Sequence, residues 1–159
     1  MSGKTETKTV EQRLLDLGLT LPPTPVAAGN YAGYVLAGNL LIVSGQLARR
    51  ADGSLFTGRV GADLSLEQGV EAAKLSALNI LAQAKAALGD LGRITHTLRL
   101  NGFVQTTADF SDHAKVINGA SDLIGPVLGG PGIHTRVAVG AHALPLNAAT
   151  EIDALFLVS

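Results

Sequence analysis

The chain has 159 residues, of which 47% are hydrophobic and only 16% are charged, and its formal net charge is −1. This length predicts one domain. Soluble domains carry about 25% charged residues on average, so the low charged share predicts that the domain buries further surface in an oligomer. A net charge near zero argues against nucleic acid as a partner, because proteins that bind it present a basic surface. The absence of cysteine excludes disulfides and thiolate chemistry.

The histidines and the apolar segments exclude two further classes of protein. His96, His113, His134 and His142 have neither the H-x-H nor the H-x-x-x-H spacing of metal ligands, so no metal site is expected. The first twelve residues are too polar for a signal peptide, and no apolar run is long enough to span a membrane. We therefore expect a cytoplasmic protein with no membrane partner.

Residues 1–28 are predicted to form an extension that precedes the main domain. Residues 9–12 (TVEQ) fit a capping box and predict a short helix that ends at Gly18. The proline-rich residues 22–25 predict an extended connector after it. The domain itself is predicted over residues 29–159.

The domain is predicted to begin with a β-hairpin. Residues 34–37 and 40–46 are apolar runs that flank Gly38-Asn39, a dipeptide typical of tight turns. Asp52-Gly53 predicts another turn, and residues 55–60 predict a short strand.

Two long helices and a strand are predicted next. A capping box opens at Ser65, and the apolar stripe that follows it predicts a helix that ends at Gly89. Alternation in residues 94–104 predicts a strand. Its polar face is predicted to carry the side chains of Thr97, Arg99 and Asn101. A second helix is predicted from a cap at Asp109 through Leu123 or beyond, ended by Pro126 and the glycine-rich residues 129–132.

Arg136 and Glu151 are the most informative pair near the C-terminus. They lie on two predicted strands, and a hairpin centred near residues 143–144 would set Arg136 directly across from Glu151, with Cβ atoms roughly 5 Å apart. Alternation places both on one sheet face, and Val137, Val139 and Ile152 on the other. Such a pair could hold an anionic substrate and transfer its protons, although by spacing alone a surface ion pair is the commoner explanation.

The order of the elements predicts an α/β (α+β) fold. It consists of a mixed sheet with both long helices packed on one face. The other face would be bare in a monomer. Because it is predicted to carry polar side chains among small residues, we expect subunits to meet there.

Two segments resemble the YjgF/RidA family, also called the endoribonuclease L-PSP family. Gly29-Asn30-Tyr31, followed by residues 38–46 (GNLLIVSGQ), is similar to the family's G-x-Y…G-N…S-G-Q segment. Arg136, Leu144-Pro145 and Glu151-Ile152 match its R…L-P…E-I spacing. Both segments match without a gap, and the similarity covers residues 29–158.

The resemblance implies a chorismate-mutase-like fold and a homotrimer with three ligand clefts between subunits. The better-studied branch of the family hydrolyses reactive 2-imino and 2-enamino acids, such as 2-aminoacrylate, to 2-keto acids and ammonia. That reaction needs no metal or organic cofactor. The chain is therefore expected to act on a small carboxylate without a cofactor.

The resemblance also assigns residues to the cleft. Arg136 would hold the substrate carboxylate in a bidentate pair, and Glu151 would orient or deprotonate the attacking water. Tyr31, from a neighbouring subunit, together with Ser44 and Gly45, would line the cleft. Taken alone, Tyr31 fits an exposed loop tyrosine, Ser44 fits a turn former, and Gly45 fits a backbone turn.

Two positions depart from the family pattern. Ala138 stands where the better-studied branch often has cysteine, so only its backbone is offered to a substrate. Asn118 is a candidate for the family's cleft asparagine, although an ordinary amide on the helix surface is the commoner explanation. The helix over residues 111–128 is longer than usual, which makes its alignment insecure.

The longer helix over residues 111–128 and the additional N-terminal helix favour an alternative, a non-catalytic protein of the same fold that binds small carboxylates. An endoribonuclease or translation-inhibitor role agrees less well with the net charge and with the 4% aromatic content. His113 and His134 offer an acid–base pair for RNA cleavage only if the fold brings them together, and their spacing does not require this. Hydrolytic deamination is therefore the expected function.

Overall fold

The computed structural model describes residues 7–159 and contains three α-helices and five strands. In chain order these are α1 (Val10–Asp16), β1 (Tyr34–Ala37), β2 (Leu40–Leu47), α2 (Leu66–Leu88), β3 (Ile94–Gln105), α3 (His113–Leu128), β4 (Thr135–Ala141) and β5 (Thr150–Val158). The strands form one mixed sheet in the order β1-β2-β5-β3-β4, in which only β3 and β4 are parallel neighbours. This confirms the predicted α+β class and the packing of both long helices on one face.

The local signals at the first two helices are confirmed. The Thr9 hydroxyl accepts a hydrogen bond from the Gln12 amide at the start of α1, and the Ser65 hydroxyl accepts one from the Gln68 amide at the start of α2. Gly89 ends α2 in a left-handed conformation with a φ of 75°. Such a φ is open to glycine because glycine has no Cβ.

The predicted start of the second long helix was wrong, as was the role of Pro126 in ending it, but the helix does end at the predicted glycine-rich segment, with Gly129 as its C-cap. Asp109 lies in a turn in which the Phe110 amide donates to the Thr107 carbonyl, and α3 begins only after Asp112. Pro126 lies inside the last turn of α3. A proline there removes one hydrogen bond near an end that already leaves carbonyls unpaired, so the helix continues past it.

The short helix α1 packs on the rest of the molecule. Its Val10 and Leu14 are buried in the same core cluster as the sheet and the long helices. The Arg13 guanidinium donates to the Leu128 carbonyl at the end of α3, at 3.1 Å. The division of the chain at residues 28 and 29 stays a prediction, and residues 1–6 lie outside the described part.

Two predictions about strands were wrong. Residues 55–60 do not form a strand, because Leu55, Thr57 and Val60 each make an isolated bridge to a different segment. Thr97 is buried on the helix-covered face, because register shifts in β3 on either side of it break the alternation. Its hydroxyl donates to the Pro131 carbonyl at 2.7 Å.

The predicted hairpin between Arg136 and Glu151 was wrong as well. Strand β3 lies between β4 and β5, so the two strands do not pair. In register, Arg136 pairs with Leu100, which in turn pairs with Ala154, and the last two are buried under the helices. Because paired residues share a sheet face, Arg136 lies on the helix-covered face.

Glu151 lies on the bare face, where it pairs with Phe103, which also pairs with Val139 on the other side. The prediction failed because it assumed a local turn, whereas the segment between β4 and β5 crosses the end of β3. Leu146 and Asn147 turn the chain there with φ values of 56° and 60°. Val137 and Val139 are consequently exposed on the bare face instead of buried under the helices.

The contact between α2 and α3 depends on a glycine. A methyl group built at Gly119 would overlap the backbone carbonyl oxygen of Val70 on α2. We therefore expect Gly119→Ala to lower the free energy of unfolding by roughly 1–3 kcal/mol in urea denaturation, because the helices must move apart. Gly125→Ala in the same helix meets open space and should instead raise it by about 0.5–1 kcal/mol. Equal stabilities of the two variants would contradict this packing.

Candidate active site

The Arg136 guanidinium extends from the edge strand β4 to α3. Its Nη1 donates to the Ser121 hydroxyl at 2.9 Å and its Nη2 donates to the Ala114 carbonyl at 3.1 Å. Both acceptors are neutral, and within residues 7–159 no carboxylate oxygen lies within 4.0 Å of this guanidinium. A guanidinium has five N–H donors, so three remain for an anionic ligand.

Asn118 and Ala138 lie beside this guanidinium. Asn118 is exposed and shares with Ala114 and Ser121 one stripe of α3, at the three- and four-residue spacing of a helix face. Ala138 is half-buried and follows Arg136 by two residues, on the same face of β4. The fold thus brings Arg136, Asn118 and Ala138 to one groove between β4 and α3.

Next to this groove, at the end of β4, lie histidines that were not among the site residues predicted from the sequence. His113 packs edge-on against Phe110, and its Nε2 lies 2.6 Å from where a Cβ at Gly140 would stand. These three residues and His142 line a cavity of about 640 Å³. The alternation of Arg136, Ala138 and Gly140 along β4 would have indicated the groove, had the strand been assigned to the correct face.

His134 also reaches α3, through Ser121. Its Nε2 lies 2.8 Å from the Ser121 hydroxyl oxygen, and its Nδ1 lies 2.7 Å from the Gly132 carbonyl oxygen. The structure therefore does not pair His134 with His113, since His134 is bonded to Ser121 and Gly132, and His113 lies against Phe110 and Gly140.

Glu151 belongs to a second cluster, on the bare face of the sheet. A methyl group built at Gly45 would overlap Glu151 Oε1, so this glycine permits the carboxylate to lie directly against β2. Gly45 also lines a small cavity of about 40 Å³ together with Tyr31. The Ser44 hydroxyl donates to the carbonyl of Ala32, next to Tyr31, at 2.7 Å. Tyr31, Ser44, Gly45 and Glu151 therefore form one group.

Two buried amides hold this group in place, and neither was among the predicted site residues. Gln46 follows the bulge in β2, and its Nε2 donates to the Ser44 carbonyl at 2.9 Å. Gln83 of α2 donates from its own Nε2 to the Pro25 carbonyl at 2.7 Å and to Gln46 Oε1 at 3.4 Å. The proline-rich connector is thereby attached to the strand that supports Glu151.

Burial raises the pKa of Glu151, and the negative charge of Asp153 raises it further. The pKa of Asp153 is also raised by burial, although the Asn101 side chain and the Arg99 charge oppose this. A carboxyl group whose pKa is shifted upwards exchanges protons nearer to neutral pH, which suits an acid–base role.

The raised pKa predicts how Glu151 affects stability. The folded protein holds the Glu151 proton more tightly than the unfolded chain, whose pKa is near 4.5, so this carboxyl destabilises the fold as the pH rises through its folded pKa. Glu151→Gln is therefore expected to have a higher Tm than the parent protein at pH 7, with a difference that disappears below the unfolded pKa. Thermal unfolding from pH 3 to 8 measures this. Glu67→Gln, at an exposed site in the first turn of α2, should show no such gain.

Within one protomer the two clusters do not share a cleft. Arg136 lies on the helix-covered face of β4, and Glu151 lies on the bare face of β5, with β3 between them. Two strand spacings separate the backbones by roughly 10 Å across the sheet, and the register adds a comparable offset along it. Within one protomer the Glu151 carboxylate therefore does not reach Arg136.

No helix in residues 7–159 is both long and apolar enough to cross a membrane. Over the same residues, no group of three or more histidine or acidic side chains is placed to bind a metal ion.

Residues 11–157 match the model of a protein family described as "YjgF/chorismate mutase-like, putative endoribonuclease". Protein TCP17 of Trypanosoma cruzi is 45% identical over 147 residues, which are 92% of each chain. The crystal structure of Atu1372 from Agrobacterium tumefaciens is 48% identical with a TM-score of 0.88, over 95% of this chain and 94% of the other. The crystal structure of a "putative endoribonuclease" from Shewanella oneidensis is 36% identical with a TM-score of 0.92, over 95% of this chain and 100% of the other.

Proposed function

Because this chain belongs to the YjgF/chorismate mutase-like family, we propose that it hydrolyses reactive 2-imino and 2-enamino acids to 2-keto acids and ammonia. The observation that carries this proposal is the Arg136 guanidinium, which is held by two neutral acceptors and has no carboxylate partner within residues 7–159. A cation fixed in this way is suited to a bidentate pair with a substrate carboxylate.

The proposed site lies between subunits of a homotrimer. The groove around Arg136 of one protomer meets the cluster around Glu151 of the next, which is a head-to-tail contact that closes into a ring. The bare sheet face supports this arrangement because it exposes the apolar side chains of Val35, Ile42, Val137 and Val139. Light scattering tests the assembly, and a monomer in solution would contradict it.

The proposed chemistry begins with the substrate carboxylate bound to Arg136. A water molecule attacks the imine carbon as Glu151 takes one of its protons, and Glu151 then returns this proton to the nitrogen, which gives the carbinolamine. Glu151 next transfers the proton of the carbinolamine hydroxyl to the same nitrogen. Cleavage of the C–N bond then releases ammonia and leaves the 2-keto acid. Imines hydrolyse readily, so orientation and one placed base suffice.

The other residues of the two clusters would enclose the substrate. The exposed Tyr31 ring would pack on it, and the Ser44 hydroxyl and Gly45 backbone would line one wall. Asn118 and the Ala138 backbone would line the opposite wall, beside Arg136.

The direct test is the rate of 2-keto acid release from 2-aminoacrylate that a second enzyme generates continuously. A rate above that of the spontaneous reaction is expected. No acceleration, together with thermal stabilisation by a 2-keto acid, would instead select the non-catalytic carboxylate-binding protein.

RNA cleavage is a second candidate, because the family description and the Shewanella relative both carry the word endoribonuclease. An assay on single-stranded RNA with purified protein tests it. Cleavage that disappears in Arg136→Ala would favour this activity over deamination, whereas cleavage unchanged in that variant would indicate a contaminating nuclease.

A further inference from the structure

We propose that Ser121 and His134 are positioning residues that aim the Arg136 guanidinium at the substrate carboxylate. This inference rests on the proposed function, since it concerns the same site. It goes beyond that function because it assigns a role to two side chains that do not touch the substrate. These two side chains are linked to the substrate-binding arginine by hydrogen bonds.

The direction of each hydrogen bond in this chain follows from the chemistry of its atoms. The Gly132 carbonyl can only accept, so His134 Nδ1 carries a proton and donates to it over 2.7 Å. In a neutral imidazole Nε2 then accepts, which makes the Ser121 hydroxyl the donor across the 2.8 Å contact. The hydroxyl oxygen thereby turns its lone pairs to Arg136 Nη1, which donates to it over 2.9 Å.

The Gly132 end of this series of hydrogen bonds is fixed by backbone packing. Gly132 is wedged against the end of α3, where a Cβ on it would lie 2.6 Å from the Ile124 carbonyl oxygen. The preceding carbonyl, that of Pro131, accepts a hydrogen bond from the buried Thr97 hydroxyl. These contacts restrict the Gly132 carbonyl, and the carbonyl in turn orients the imidazole that bonds to it.

The neutrality of these groups matters for the function. A carboxylate anchor would hold the guanidinium equally well, but it would neutralise the charge and compete with the substrate. A hydroxyl and a carbonyl orient the planar fork without doing either. Because His134 Nε2 accepts a hydrogen bond from the Ser121 hydroxyl, it determines which way the serine oxygen presents its lone pairs.

The experiment compares steady-state kinetics of Ser121→Ala and His134→Leu with those of the parent protein. Each variant is expected to raise KM for the imino acid about tenfold and to change kcat less than about twofold. The reason is that a hydrogen bond that orients the Arg136 guanidinium towards the substrate is lost. Ser121→Thr and His134→Gln each restore a group with the required bonding role and should return KM to within about threefold. The Kd of pyruvate, measured by calorimetry, should change in parallel with KM.

The double variant separates positioning from a merely structural role. Without the hydroxyl, His134 has nothing to orient, so Ser121→Ala/His134→Leu should raise KM no further than Ser121→Ala alone. Additive effects of the two changes, or a KM unchanged in both single variants, would overturn the inference. Ser111→Ala, at an exposed position, is the matched control and should leave KM unchanged.

Arg136→Ala in the same series separates this inference from the proposed function. If Arg136→Ala loses turnover while the Ser121 and His134 variants keep the parent KM, only the positioning role is wrong. If Arg136→Ala keeps full turnover, the proposed function itself is wrong.

Discussion

Arg136→Ala is expected to lower kcat/KM for 2-aminoacrylate by at least about 100-fold, because truncating one partner of a desolvated charge pair costs several kcal/mol. The protein should still assemble, since Arg136 contacts α3 through only two hydrogen bonds and α3 is buried mainly by apolar packing. Rates of 2-keto acid release, together with light scattering, measure both expectations.

Arg136→Lys refines this result. Lysine keeps the positive charge but lacks the planar fork, so its activity should lie between those of the parent protein and the alanine variant. Arg50→Ala removes an exposed arginine that lies over Phe56 and should leave turnover unchanged. Full residual activity in Arg136→Ala would rule out the deaminase proposal.

Mixing two inactive variants is expected to restore activity. In an assembled ring, Arg136 of one subunit and Glu151 of its neighbour would form each cleft. A subunit that carries Arg136→Ala still supplies Glu151, and a subunit that carries Glu151→Gln still supplies Arg136. An equal mixture should therefore contain intact clefts, although each variant alone has none.

The expected magnitude follows from independent assortment. An intact cleft needs an Arg136 donor, with probability one half, and a Glu151 donor, with probability one half, so about one quarter of the parental activity should return. Co-expression of equal amounts of differently tagged chains provides this unfractionated sample. Mixed trimers isolated through both tags should reach about one third, because each has one intact cleft of three. Separately purified variants mixed without subunit exchange provide the control. Activity no higher than that of the two variants would show that the two residues do not act across a subunit boundary.

Local signals in the sequence were sufficient for most of the secondary structure. The capping boxes at Thr9 and Ser65 predicted the starts of α1 and α2, and Gly38-Asn39 predicted the turn between β1 and β2. These signals are reliable because each is a hydrogen bond or a backbone conformation that residues close in sequence form by themselves. The apolar stripe of α2 likewise predicted which side of that helix is buried.

The arrangement of strands depended on contacts between residues distant in sequence. The alternation in β4 and β5 is compatible with either face being buried, and only the insertion of β3 between them determines which one is. Arg136 therefore lies under the helices and Glu151 lies on the bare face, although the sequence suggested direct neighbours. The bulges that bury Thr97 are likewise visible only once β5 pairs with β3.

The sequence and its family motifs determined the residue types of the candidate site. These are an arginine and an acid near the C-terminus, and a tyrosine, a serine and a glycine near the start of the domain. The tertiary structure decided their grouping, with Glu151 beside Gly45 and Arg136 beside Ser121. The physical reason is that sequence periodicity specifies the relative direction of side chains within one strand. The neighbours of that strand are chosen by the packing of the whole sheet and its helices.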